Sequence, residues 1–166
     1  MIFGMSLSAF TTLHVVISLI GIAAGIVVLF GMFASNPLPG WTALFLGATI
    51  LTSATGFLFP FTKLLPSHIV GIISLAILTV TVFALYSYHL AGPWRWIYVA
   101  GAVLALYLNT FVAVVQAFLK IPDVKALAPT QAEPPFAIAQ GIVLLIFIAL
   151  FVGAVRAFRP PPLPSR

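Results

Sequence analysis

Two imidazoles, His14 and His68, are the side chains of this sequence best suited to chemistry. Neutral imidazole is a good ligand for haem iron or a transition metal. His14 belongs to a run, Thr11, His14, Ser18, Gly21 and Gly25, whose steps of three and four residues place all five on one stripe of a helix. The flanking residues, among them Val15, Val16, Leu19, Ile20 and Val27, are apolar. A small and polar stripe on an apolar cylinder is the face that meets other helices inside a membrane. Snorkelling, or a hydrogen bond to a helix terminus, accounts for each histidine without any ligand. Two histidines of similar depth can also converge on a haem b, whereas a lone metal ion normally asks for three or four ligands.

Five other polar residues fall in the same half of the apolar spans: Thr52, Thr55, Asn109, Gln116 and Gln140. Carboxamides facing lipid are costly, so Asn109 and Gln116 are expected to point inward. Interhelical hydrogen bonding and ligand binding both explain them. No Asp or Glu lies inside a span, which argues against a carboxylate proton relay. His-Glu-x-x-His, a Ser/His/Asp set and a glycine-lysine nucleotide loop are also missing. With no cysteine, disulfides and thiolate metal sites are excluded.

The elements that must position these residues follow from composition. Hydrophobic residues make up 63% of the 166-residue chain and charged residues 5%, against roughly 25% charged in soluble domains. The first charge is Lys63. Such a chain belongs in a lipid bilayer. Its net charge of +5 comes from seven basic residues scattered over the loops, as helix anchors at a lipid surface would be, and no nucleic-acid motif accompanies them. Apolar runs separated by Pro/Gly-rich turns predict spans at about 8–33, 41–61, 65–90, 94–119 and 135–158. The first run is too long for a signal-peptide core and is expected to be retained. The connection 120–134 carries Asp123 and Glu133, and the proline-rich tail 159–166 is not helical by composition.

Trp41, Tyr86, Tyr88, His89, Trp94 and Trp96 cluster at the boundary opposite the polar half, as an aromatic belt would. That side would carry Arg95, Arg156, Arg159 and Arg166, against Lys63, Lys120 and Lys125 on the other. The bias favours a cytoplasmic C-terminus and a periplasmic N-terminus. Two stretches, Leu51-Thr52-Ser53-Ala54-Thr55-Gly56-Phe57-Leu58-Phe59-Pro60 and Ala126-Leu127-Ala128-Pro129-Thr130-Gln131-Ala132-Glu133-Pro134-Pro135-Phe136, resemble a group of small multi-pass bacterial membrane proteins. The resemblance implies a bacterial cytoplasmic membrane and carries no particular chemistry.

The expectation is an all-α integral membrane bundle of five transmembrane helices, one domain over residues 1–158. Its leading function is non-enzymatic: a small-ligand binder in the polar half, at His14, Thr52, Thr55, His68, Asn109, Gln116 and Gln140, or an accessory subunit with a membrane-protein partner or a second copy. A b-type haem protein using His14 and His68 is the alternative, and a facilitator for a small neutral solute is a third.

Overall fold

The computed structural model describes residues 2, 4–60 and 66–160. Phe61, Lys63, Leu65 and most of the tail, including Arg166, lie outside the described residues, so the span limits and charges read there have no structural counterpart. The helices are α1 (Leu7–Phe33), α2 (Pro39–Gly56), α3 (Pro66–Val82, extended by a π-helical turn over Phe83–Ser87), α4 (Trp94–Lys120), a short α5 (Pro122–Leu127) and α6 (Pro134–Ala157). No β-strand occurs among the described residues.

Four helical stretches are long and apolar enough to cross a membrane: Leu7–Phe33, Ser67–Ser87, Trp94–Lys120 and Pro134–Ala157. The remaining stretch read as a span, α2, is shorter and more polar. Its 18 residues include Thr42, Thr49, Thr52, Ser53 and Thr55, and they extend about 27 Å at 1.5 Å per residue. It stops earlier than the composition suggests because its last carbonyls are closed by tight turns, Phe57 N–H to Ala54 and Leu58 N–H to Thr55. Pro60 then disfavours helix at the residue before it.

Helix α2 lies antiparallel against α1 over most of its length. His14 meets Thr55, Gly21 meets Ala48 and Thr49, Gly25 meets Phe45, and Gly31 meets Leu38. The turn between them needs glycine at 31, since a methyl group there would lie 2.6 Å from Leu38 Cδ1 and 2.8 Å from the Asn36 carbonyl oxygen. Helix α3 packs antiparallel on α2 through Ser53 and Ser74 and through Phe57 and Gly71. Helix α4 runs through the centre of the bundle and touches every other helix.

Helix α6 packs chiefly on α4, and only Gln140 and Ala154 of it are buried. Polar bonds hold it at both ends. Near its start, Gln140 Nε2 donates to the Phe111 carbonyl (3.1 Å), and Gln131, in the preceding connection, donates to the Val115 carbonyl (2.9 Å). At its far end the Arg95 guanidinium donates to the carbonyls of Val155 (3.1 Å) and Phe158 (2.5 Å). These belong to the last-turn carbonyls that a helix leaves unpaired, where a cation also meets the negative end of the helix dipole.

The two halves of the bundle differ. The half containing the ends of α1 and α6 and the start of α4 is close-packed, with Val28, Met32, Phe45, Leu46, Leu78, Tyr98, Val99, Leu106 and Phe158 among its buried side chains. Trp41, Tyr86, Tyr88 and Trp96 are about half exposed around this end, and Tyr88 stacks flat on Trp94 with ring centres 3.8 Å apart. The outer surfaces of α1, α3 and α6 are apolar, with Leu19, Phe30, Ile72, Ile142 and Leu145 all exposed. An apolar outer surface of this kind suits lipid.

Candidate cavity in the polar half

The other half of the bundle is hollow. A cavity of about 630 Å³ opens between α1, α2, α3 and α4. Its mouth is edged by Thr11, Phe59, Pro60, Ser67, Lys120 and Ile121, and its floor by Ser18, Ser74 and Asn109. From Lys120 to Asn109 along α4 is about 16 Å at the helical rise per residue. Helical periodicity gathers these side chains. Thr11, His14 and Ser18 are three consecutive steps of the α1 stripe, and Asn109, Ala113, Gln116 and Lys120 are the equivalent stripe on α4.

Each polar group of the wall has a definite setting. His14 Nδ1 lies 2.8 Å from Thr55 Oγ1, and Thr55 Oγ1 donates to the Leu51 carbonyl at 2.6 Å. The His14 ring also stands edge-on to Phe59, with centres 5.2 Å apart. Deeper in, Asn109 Nδ2 donates to Thr49 Oγ1 (3.1 Å) and Ser53 Oγ donates to Ser74 Oγ (3.1 Å). Thr52 Oγ1 is buried without a hydrogen-bond partner. His68 is buried, with its ring 5.6 Å from that of Phe57.

Of the residues singled out from the sequence, His14, Thr52, His68, Asn109 and Gln116 line this one cavity. Thr55 stands behind the wall and holds His14. Gln140 is set apart: it lies on α6, which contributes nothing to the cavity, and its amide is spent on the α4 backbone. Its side-chain oxygen is buried and unpartnered. Depth along the membrane normal is readable in a sequence, but the angular position of a helix around the bundle is not. The sequence therefore groups Gln140 with residues it does not meet in the structure.

Among the described lining residues, Lys120 and the two histidines are the only ionisable side chains, and no carboxylate lies there. No group of three or more His, Asp or Glu able to hold a metal ion occurs among the described residues. The wall can accept and donate hydrogen bonds and enclose an apolar body. His14 lies against Thr55 and Phe59 and His68 against Phe57, so both imidazoles stand beside the end of α2 and the turn that follows it. No protein-family model matches the chain, and comparison with curated proteins and with solved structures likewise gave no match.

Proposed function

We propose that this chain is a five-span membrane protein that holds a small molecule in its polar half without covalent chemistry, alone or as the ligand-holding subunit of a larger membrane assembly. The observation that carries the reading is the roughly 630 Å³ cavity, walled by four helices and closed below by close-packed Phe45, Leu78 and Leu106. Concave, mostly apolar cavities with a few convergent polar groups are the usual form of small-molecule sites. Close packing in the opposite half fits a binder better than a solute facilitator, which needs a path through both halves.

In this reading α2 is the fifth span. The pairing from His14 with Thr55 to Gly31 with Leu38 extends about 25 Å along α1, so α2 occupies the same depth as a helix that is itself long enough to cross. The loop charges favour a cytoplasmic C-terminus and a cavity mouth on the periplasmic side, and the resemblance noted above favours a bacterial cytoplasmic membrane. A b-type haem is the second reading, favoured by the presence of both imidazoles among the lining residues of one cavity; His14 and His68 would hold it, and it would supply electron transfer.

Native mass spectrometry and the visible spectrum of the detergent-purified protein test both. The expected result is a bound small-molecule adduct that is lost when Ala113→Phe fills the cavity, with no Soret band. A Soret band abolished by His14→Ala or His68→Ala moves the assignment to haem. An adduct unchanged by Ala113→Phe defeats the cavity reading.

A further inference from the structure

We infer that the cavity selects an uncharged, apolar molecule bearing a hydroxyl group, such as an alcohol or phenol, with His14 accepting its hydrogen; the inference rests on the reading of the cavity as a ligand site. The argument begins with a proton count at Thr55. Its oxygen lies 2.6 Å from the Leu51 carbonyl oxygen, which can only accept. The single threonine hydrogen is therefore committed to that carbonyl. The 2.8 Å contact with His14 Nδ1 must then be filled by a hydrogen on the ring, so Nδ1–H donates to Thr55. A neutral imidazole pinned in this tautomer keeps its lone pair on Nε2, and His14 lines the cavity.

The same count applies at the floor. Asn109 spends one of its two amide hydrogens on Thr49, which leaves the other as a donor and its carbonyl oxygen as an acceptor. One helical turn from Thr55, the Thr52 hydroxyl is buried with neither of its capacities used. A hydroxyl group complements this set, because it both donates, to an acceptor such as His14 Nε2, and accepts, from a donor such as the remaining Asn109 N–H. A ketone, ether or ester only accepts, so it would leave the imidazole unpaired. An ammonium group would find no carboxylate among the described lining residues and would meet Lys120 at the mouth. Sites built to bond a hydroxyl reject analogues that lack it far more strongly than apolar pockets discriminate by size.

The test uses the detergent-solubilised full chain and a matched pair of probes, 4-nonylphenol and its methyl ether 4-nonylanisole, with binding measured by equilibrium dialysis. The phenol should bind at least about tenfold more tightly. His14→Phe should erase the preference. Thr55→Val, which keeps the side-chain shape, should weaken it by releasing the tautomer, although Thr55 is not on the wall; this variant decides the matter where His14→Phe fails to fold. Equal affinities that Ala113→Phe abolishes would overturn the hydroxyl inference and leave the cavity reading standing. A preference for the ether, or one that survives both variants, overturns it as well. Absence of saturable binding by either probe, or binding indifferent to Ala113→Phe, overturns both.

Discussion

Thr81 of α3 sits directly against the backbone of Gly101 of α4, in the space a side chain at 101 would fill. The threonine cannot swing aside cheaply, because its hydroxyl donates to the Ile77 carbonyl at 2.7 Å. Gly101→Ala should therefore destabilise the bundle by about 1–3 kcal/mol, the usual cost of overpacking. Thermal melting in detergent followed by circular dichroism would show it. Adding Thr81→Ala should recover most of the loss, and a double variant no better than the single one would mean the two helices meet elsewhere.

A similar contact joins α1 to its neighbours. A methyl group on Gly25 would lie 2.6 Å from Leu106 Cδ1 and 2.9 Å from the Phe45 ring. Gly25→Leu should lower the melting temperature more than Gly101→Ala, because two buried side chains must move. Val28 is buried on the same face. Ile26, 44% exposed, is not, and Ile26→Ala should leave melting nearly unchanged.

Arg95→Met removes both hydrogen bonds to the last carbonyls of α6 while keeping much of the aliphatic bulk. Bonds from a charged donor are worth about 1.5–3 kcal/mol each before solvent screening reduces them. Amide exchange should accelerate in the last turn of α6 and stay unchanged around the cavity. Uniform acceleration would show that Arg95 supports the whole fold.

The absence of cysteine from the sequence makes the proposed fifth span directly testable. Asn36→Cys, between α1 and α2, and Leu58→Cys, after α2, should be labelled from opposite faces of sealed vesicles by a membrane-impermeant maleimide. Labelling from one face would mean that α2 does not cross.

Much of this architecture was written in the order of the residues. The first and fourth spans needed only long apolar runs with breakers at their ends, and they appear as Leu7–Phe33 and Trp94–Lys120. The inward face of α1 was readable from the spacing of Gly21 and Gly25, both of which are buried. Less legible was anything that depends on rotation about the bundle axis. Gln140 falls in the same half of the bundle as His14 yet sits on a helix that contributes no described residue to the cavity. Thr55 looks like its neighbour Thr52, but one backs the wall and the other lines it. The short helix α5 leaves no signal in the sequence pattern, because six residues are too few to show a period.

Every described residue on the cavity wall lies between Thr11 and Ile121. Helix α6 follows all of them in the chain and adds nothing to that wall. It closes against α4 as an outer stave, fastened by Gln131 and Gln140 at one rim and by Arg95 at the other. The stretch that encloses the hollow and the stretch that braces it from outside are thus separate parts of the chain.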